Sequence, residues 1–365
     1  MADGLRLLHI FSTFKVGGPQ RRFAALVRGL GAEFAHDVVA MDDNYDAADE
    51  IPQGAPVRFL RPSHHGFLAE RLRRYRRFVA KHTPDLLVTY NWGAIEWVMA
   101  NAFGVPQIHV ADGFGPEEAV HRLPRRNLFR RLVLPMTDAV VVPSETLRAL
   151  AGAEWHLKDS LVHYIPNGIV PSILPPARPW TEPLLPRIAW VGALRPEKNL
   201  PRLLEAFAPL KDRAELVLAG DGPERPRLEA LVQALGLEGR VQFLGHRRDV
   251  VAILAQARIV ALSSDTEQMP LMVLEAMDAA RPVASVDVGD VRLMVADENR
   301  PFVVARSASA LSAALDALLR DPELCNRIGK ANRRRLETVY HRDGMVARYR
   351  ALFLQLARPA LAAAP

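Results

Sequence analysis

Residues 187–207 read R-I-A-W-V-G-A-L-R-P-E-K-N-L-P-R-L-L-E-A-F. The opening run is apolar on both faces of an extended chain and lacks the polar alternation of a half-exposed strand. Gly192 ends that run, a short polar loop follows, and P-R-L-L-E-A-F carries helical spacing. The stretch therefore predicts a strand covered on both sides, a turn and a helix, which is one half of a βαβ unit.

The same pattern recurs from end to end. L-R-L-L-H-I-F, D-L-L-V-T-Y and A-E-L-V-L-A-G are further runs of this kind. Strands are predicted at 5–13, 36–42, 57–61, 85–91, 106–112, 139–143 and 162–165. A second series follows at 187–192, 214–220, 241–245, 258–264, 282–287 and 302–305. Helical patterns lie between them, so the expected fold class is α/β with two parallel, Rossmann-like sheets. At 365 residues the chain is longer than most single cores. Residues 171–186, P-S-I-L-P-P-A-R-P-W-T-E-P-L-L-P, hold six prolines and suit neither helix interior nor central strand. The predicted division is 1–170, a linker over 171–186, 187–342, and a terminal segment over 343–365 with an amphipathic helix near 343–358. Two open α/β domains facing each other would set the carboxyl ends of both sheets along one cleft, where such sheets bind ligands.

Composition narrows the class. Apolar residues make up 49% and charged residues 24% of the chain, as in a globular protein. The single Cys325 leaves no intramolecular disulfide framework, and no Cys/His group has zinc spacing. No metal site is expected. The start, M-A-D-G-L-R-L-L-H-I-F-S, reads as a first strand rather than a signal peptide, and no apolar run reaches membrane-spanning length. A cytoplasmic protein is the expectation.

The net charge is +6, and basic residues cluster in two places, Arg71–Lys81 and Arg122–Arg131. In the first, Leu68, Leu72, Tyr75 and Val79 fall at helical spacing, which puts the arginines on the opposite face. One such segment is ordinarily a solvated helix. Two in the same half point to a polyanionic partner such as anionic lipid or a lipid-linked phosphate. Nucleic acid fits less well, because no aromatic residues interleave with the basic ones and no recognition motif is present.

Several strand-to-helix turns carry candidate chemistry. T-F-K-V-G-G-P-Q-R-R-F at 13–23 places Gly17 and Gly18 where the backbone is expected to turn tightly before a helix. It is not G-x-G-x-x-G, so a dinucleotide reading is weak. Arg195 and Lys198 lie in the loop after the strand at 187–192, where a cation neutralises a diphosphate leaving group. A-G-D-G-P-E at 219–224 makes another turn at the same sheet end, and V-Q-F-L-G-H ends at Gly245 and His246, suited to border a flat base. E-Q-M-P-L-M-V-L-E at 267–275 follows a strand. Pro270 favours a helix start there, leaving Glu267 in the loop and Glu275 about a turn and a half into the helix. Free amides at 269–272 would meet the same ligand.

Taken together and in order, these motifs resemble the retaining GT-B glycosyltransferases, family 4 in the carbohydrate-enzyme classification. The best marker is the E-x7-E pair Glu267 and Glu275; G-G-P-Q-R-R, V-P-S at 142–144, I-P-N-G at 165–168 and V-G-A-L-R-P-E-K-N add to it. The resemblance covers nearly the whole chain. It implies that the second domain holds a nucleoside-diphosphate sugar and the first presents the acceptor, with the terminal helix crossing back to the first domain. Glu267 would contact donor-sugar hydroxyls, Glu275 the ribose, and Lys198 the diphosphate with Arg195 as helper. Gly17 and Gly18 would close over the donor, and Gly245 and His246 would border the base. No cofactor beyond the sugar nucleotide and no metal are implied.

Departures from the family pattern single out further positions. E-G-F-P is E-Q-M-P here, so Gln268, Met269, Pro270 and Leu271 would shape a different donor pocket. Ala193 stands where Arg is common, and Asp112 stands where relatives commonly place a sugar-contacting His. Asp112 is therefore expected to contact a sugar hydroxyl or the acceptor, against the plainer reading of a turn aspartate. Asn91 and Trp92 would line the acceptor side, while His109 and Trp97 read as buried structure. The function this implies is transfer of a hexose to a lipid-linked or surface-glycan acceptor at the cytoplasmic membrane face. The alternatives are a non-catalytic nucleotide-sugar binder or partner subunit, and a GT-B epimerase or phosphorylase.

Overall fold

The computed structural model describes residues 4–102, 104–114, 118, 122–173 and 185–362. It contains two compact units: unit 1 is Met1–Gly168 with Arg342–Pro365, and unit 2 is Ile169–His341. Most of the proline-rich stretch read as a linker lies outside the described residues.

Unit 1 holds strands β1 (Leu5–Phe11), β2 (Phe34–Ala40), β3 (Val57–Leu60), β4 (Leu86–Tyr90), β5 (Gln107–Val110), β6 (Ala139–Val142) and β7 (Val162–Tyr164). They form one parallel sheet in the order β3-β2-β1-β4-β5-β6-β7. Its helices are α1 (Gly18–Leu30), α2 (Leu68–His82), α3 (Ile95–Ala100), α4 (Pro124–Val133), α5 (Glu145–Ala153) and α13 (Arg342–Ala362). Successive side chains of a strand point to opposite faces, and here both faces are covered. Leu7 and Phe11 of β1 pack with Phe23 and Val27 of α1 and with Tyr349 and Phe353 of α13. Leu8 and Ile10 pack with Tyr75 of α2 and Trp97 of α3, whose rings stack 4.2 Å apart. Trp97 is thus core, as its sequence context implied.

Unit 2 holds β8 (Arg187–Val191), β9 (Glu215–Ala219), β10 (Val241–Gly245), β11 (Ile259–Leu262), β12 (Val283–Val286) and β13 (Val303–Val304). These pair in parallel in the order β10-β9-β8-β11-β12-β13. Its helices are α6 (Leu200–Phe207), α7 (Arg225–Ala234), α8 (Val250–Ala255), α9 (Leu271–Asp278), α10 (Val291–Met294), α11 (Ala308–Arg320) and α12 (Pro322–Val339). All thirteen strands correspond to predicted runs, each starting within two residues of its expected position. The GT-B class, two Rossmann-like parallel sheets, is the observed fold. The two ends of unit 2 are adjacent: Ile169 forms a parallel bridge with His341 and donates to the Tyr340 carbonyl at 3.1 Å.

One polar feature sits inside the unit 1 core. His9 of β1 bonds through Nδ1 to the Tyr90 hydroxyl at 3.1 Å and through Nε2 to His36 Nδ1 at 3.0 Å. His109, expected to be buried, bonds to Thr89 Oγ1 at 2.9 Å. Burial pushes His9 well below the ordinary imidazole range, aided by His36. Burial also pushes His36 down to about 4 and, with Arg130 adding to it, His109 down to about 3. Every histidine held below its ordinary range among the described residues lies in unit 1.

The linkage has a definite sign. A histidine whose folded pKa is depressed stays neutral in the fold but takes up a proton in the unfolded chain below about 6.5. Its contribution to stability is complete above that pH and is lost as pH falls toward the folded values near 4 and 3. The slope is about 1.4 kcal/mol per pH unit per histidine inside that window. Calorimetry from pH 7.5 to 5 is expected to show a unit 1 transition moving to lower temperature ahead of unit 2. Two transitions that move together, or a unit 1 transition that stays in place, would contradict the buried neutral chain.

Candidate functional site

In open parallel sheets, ligands bind beyond the carboxyl ends of the strands where the strand order reverses. In unit 2 that point lies between β8 and β11. Three turns gather there, after β8, β9 and β11, and the turn after β12 backs them.

Close backbone packing fixes the turns. Gly220 has φ +146°, and a Cβ on it would lie 1.7 Å from the Gly192 carbonyl oxygen, so only glycine fits where the β8 and β9 turns touch. Gly192 N–H donates to the Ala219 carbonyl at 3.0 Å, and Leu194 N–H to that of Asp221 at 3.0 Å. Gly289 plays the same part after β12. It has φ +52°, and a Cβ there would fall 2.5 Å from the Glu267 carbonyl oxygen. Asp290 N–H then donates to the Gln268 carbonyl at 2.9 Å.

Within this frame the Lys198 ammonium donates to Glu267 Oε1 at 2.6 Å. Ser264 Oγ donates to the same oxygen at 2.9 Å. The two turns are stitched together around the pair. Ser263 Oγ donates to the Lys198 carbonyl at 3.0 Å, and Asp265 N–H to that of Glu197 at 2.9 Å. Asp265 also accepts from Asn199 Nδ2 at 2.9 Å and pairs with Arg202 at 2.7 Å. Asn199 itself is left-handed, with φ +42°, and caps α6 by accepting from Arg202 N–H. The Lys198 side chain is 24% exposed and that of Glu267 11%, so the pair reaches the surface without being fully solvated.

The helix start falls where the sequence indicated. Pro270 is the N-cap of α9, and Glu275 is the fifth of its eight residues. Glu275, Gln268 and Leu271 are half-buried, whereas Met269 turns into the unit 2 core. Arg195 is exposed and 4.0 Å from Glu197 rather than beside Lys198 and Glu267. The Gly245 carbonyl accepts from Gly220 N–H at 2.8 Å, which brings the β10 end to the same group of turns, and His246 is exposed.

Two of the expected site positions lie at the carboxyl end of the unit 1 sheet. Gly17 is extended, with φ −171°, and neither it nor Gly18 adopts left-handed backbone. The turn is held instead by Pro19 at the helix start and by Gln20 Nε2 donating to the Thr13 carbonyl at 2.7 Å. Asp112 is held in an ion pair. Both of its oxygens accept from the Arg22 guanidinium of α1: Nη2 donates to Oδ2 at 2.8 Å, and Nη1 donates to Oδ1. Asn91, with φ +57°, accepts the Asp112 N–H on its Oδ1 at 2.7 Å. Trp92 stacks under two cations, 4.9 Å from Arg126 and 5.1 Å from Arg130, and meets Phe129 edge-on.

The basic clusters are partly spent internally. Arg130 is buried and donates to Glu118 at 2.7 Å, with Arg126 donating to the same carboxylate at 3.1 Å. Burial alone would raise the Glu118 pKa, but these guanidinium groups hold it below the usual carboxylate range. Arg71 pairs with Glu96 at 2.7 Å, and Arg122 pairs with Glu154. Exposed cations remain at Arg73, Arg76, Arg77, Lys81, Arg125 and Arg131. Beside them are exposed Phe67 (84%) and Leu68 (44%) at α2 and Leu128 (55%) and Leu132 (65%) on α4. No helix among the described residues is long and apolar enough to cross a membrane.

Sequence reasoning missed Ser264, Asp265 and Arg22. The first two stand in S-S-D, polar turn residues after a buried strand, which is a usable signal. Arg22 gives none, because an arginine in the first turns of a helix is ordinarily a surface residue.

Two family profiles cover most of the chain. "Glycosyl transferase 4-like domain" matches residues 17–168, and "Glycosyl transferases group 1" matches 185–335. The alpha-D-kanosaminyltransferase of Streptomyces kanamyceticus is 33% identical over 151 residues, which is 40% of this chain and 39% of that protein. The chain thus spans about two fifths of that relative's length. The D-inositol 3-phosphate glycosyltransferase of Corynebacterium glutamicum is 28% identical over 289 residues, 68% of this chain and 67% of that one. Among solved structures, Anabaena Alr3699/HepE in complex with UDP and glucose superposes with a TM-score of 0.80 at 18% identity, covering 96% of this chain and 100% of that one. With both sheets built as described and a family profile on each unit, the chain belongs to the family 4 glycosyltransferases of the GT-B fold.

Proposed function

We propose that this protein is a retaining glycosyltransferase that moves a sugar from a nucleoside-diphosphate sugar to a lipid-linked or cell-surface glycan acceptor at the cytoplasmic face of a membrane. The observation that carries the reading is the Lys198–Glu267 pair at the switch point of unit 2, steadied by Ser264. An ammonium has three donors, and Glu267 engages one at 2.6 Å. The others meet the diphosphate and stabilise the charge that develops as it leaves. Glu267 Oε1 carries both the Lys198 and Ser264 bonds, so Oε2 accepts from a hydroxyl of the transferred sugar. Glu275 grips the ribose from within α9, whose first amides add positive dipole near the phosphates.

In this mechanism the glycosidic C–O bond to the diphosphate breaks, the sugar becomes oxocarbenium-like, and the acceptor hydroxyl attacks from the face the diphosphate leaves. The acceptor proton passes to the departing phosphate oxygen. The chain's task is to stabilise the leaving group and orient the sugar more than to supply a nucleophile. Lys198 provides that positive charge, so the reading assigns no metal. The UDP and glucose bound by HepE and the sugar-transferring names of the relatives support a sugar-nucleotide donor.

The membrane part rests on unit 1. α3 packs against both α2 and α4, which puts their exposed basic and apolar residues on one side of the sheet. Cations supply attraction to anionic headgroups, and Phe67, Leu68, Leu128 and Leu132 supply shallow apolar insertion.

Three measurements test this reading. Lys198→Met and Glu267→Gln are each expected to lower nucleoside diphosphate release about 100-fold or more, with circular dichroism unchanged; wild-type turnover in either variant would remove the pair from the mechanism. UDP-, GDP- or ADP-sugar at about 100 times its Kd adds about 2.7 kcal/mol of apparent stability, read as a rise in melting temperature. No shift with any of the three would sink the donor assignment. Sedimentation with phosphatidylglycerol vesicles is expected to carry the protein down, and phosphatidylcholine vesicles are expected to do so far less. Equal, negligible binding to both would refute the membrane reading.

A further inference from the structure

We infer that the free edge of the unit 1 sheet carries a site for a small phosphorylated compound, bound between Arg148 and Arg348. The site lies within unit 1 alone, away from the Lys198–Glu267 pair of unit 2, and does not depend on the glycosyltransferase reading.

β7 ends the seven-stranded sheet, with β5 and β6 between it and the point where the strand order reverses at β1 and β4. Helices cover both of its faces. Val162 packs against Leu147, Leu150 and Ala151 of α5. Ile165, just after the strand, packs with Met345 and Leu352 of α13. Between the two helices an open cleft of about 510 Å³ follows the strand, a size within the roughly 300–1,000 Å³ of small-molecule sites. Val162, Ile165, Ala351 and Leu352 give it an apolar floor. On the α13 side Arg348, Ala351, Leu352 and Gln355 are spaced as one face of a helix.

The polar groups around that floor are unspent. Arg148 of α5 and Arg348 of α13 both line the cleft and both are exposed. Among the described residues, the side chains of Arg348, His163 and Gln355 make no hydrogen bond or ion pair, and no aspartate or glutamate lines the cleft. Arg148 meets Glu145 at 3.5 Å, three positions earlier on the same helix, with the two side chains 50% and 42% exposed. Such a pair is weak and leaves the guanidinium available. Elsewhere in unit 1, Arg71 takes Glu96 and Arg130 takes Glu118. Any one unpartnered group is ordinary at a surface; here several converge on one cleft. Burial holds the His163 imidazole below its ordinary range, so it enters as a neutral hydrogen-bonding group and not as a third cation.

Charge and geometry choose the ligand. Two cations on separate helices, with no carboxylate in the lining, attract an anion. One guanidinium fork fills a carboxylate, whereas a phosphate has oxygens enough to accept from forks on two sides. His163 and Gln355 suit hydroxyl groups on the body attached to that phosphate, which lies over the apolar floor. A peptide strand adding to β7 fits less well, since the strand is three residues long and cations flank it, two features that discourage strand pairing. A free phosphomonoester and a lipid phosphate headgroup share the chemistry the cleft offers.

Titration calorimetry on the full chain tests the site. The probes are glucose 6-phosphate and glycerol 3-phosphate as free phosphomonoesters, dihexanoyl phosphatidic acid as the lipid form, and glucose and glycerol as uncharged controls. At least one phosphorylated probe is expected to bind saturably with a Kd of about 1 mM or below, and the controls not at all. Binding of a free probe alone points to a metabolite and of the lipid alone to a headgroup, and either supports the site. Arg148→Gln and Arg348→Gln are each expected to weaken binding about 10-fold or more, and the double variant to abolish it. Both side chains are exposed, so the ligand-free melting temperature is expected to stay at the wild-type value. Lys198→Met is expected to bind as wild type does. No saturable binding of any phosphorylated probe would overturn the inference. So would binding that survives in the double variant, or that is lost in Lys198→Met, which would place the anion in unit 2. None of these measurements uses sugar transfer, so this site and the proposed function stand or fall separately.

Discussion

The constraint on which the rest depends is that parallel strands are covered on both faces. In β8, Ile188, Ala189 and Trp190 are all buried, and the first position free to change direction is Gly192. Polar chemistry is thereby expelled to the strand ends. Each turn is in turn fixed by its neighbours: Gly220 has no room for a Cβ against Gly192, and Gly289 none against Glu267. The sheet does not bind a ligand. It sets the turns at a spacing that side chains in loops would not keep alone.

Lys198 and Glu267 show what this achieves. They are 69 residues apart in sequence and 2.6 Å apart in space. An ion pair that reaches the surface contributes about 1 kcal/mol or less to stability, yet this one sits within a dense network of side-chain bonds. Ser263, Asp265, Asn199 and Arg202 all cross between the β8 and β11 turns, and each bond limits where the two charges can go. The result is a pair of charges held at a fixed spacing by the two turns.

How much could be read in advance follows from the range of the interactions. Apolar runs report a local fact, burial on both faces, and all thirteen strands followed from it. Pro270 as the start of α9 is equally local. What escaped was pairing across the fold. Arg22 and Asp112 are 90 residues apart, and nothing beside either announces the other. Arg130 looked like part of a surface cluster because its partner Glu118 lies 12 positions away in a loop. Gly17 and Gly18 misled in another way. The doublet suggested a tight turn, whereas Gly17 is extended and the turn is closed by Gln20.

The two units solve the same packing problem with different interiors. The large core of unit 2 is apolar, with Leu, Val, Ala and Met filling both faces of its sheet. Unit 1 buries imidazole as well as charge, in Arg22 with Asp112, Arg130 with Glu118 and the His36–His9–Tyr90 chain, whereas the charge buried in unit 2 includes Arg281 and Asp278, which pairs with Arg333. Groups like these cost more to bury than hydrocarbon, and unit 1 bears that cost several times within one sheet. The Arg130–Glu118 pair has a structural account, since the guanidinium fills a box of aromatic faces from Trp92, Phe114 and Trp155. The histidine chain satisfies both ring nitrogens of His9 within the core, while His36 Nε2 is buried without a hydrogen-bond partner among the described residues. Arg22 and Asp112 meet at the carboxyl end of the sheet, where the guanidinium of α1 grips both carboxylate oxygens just after β5.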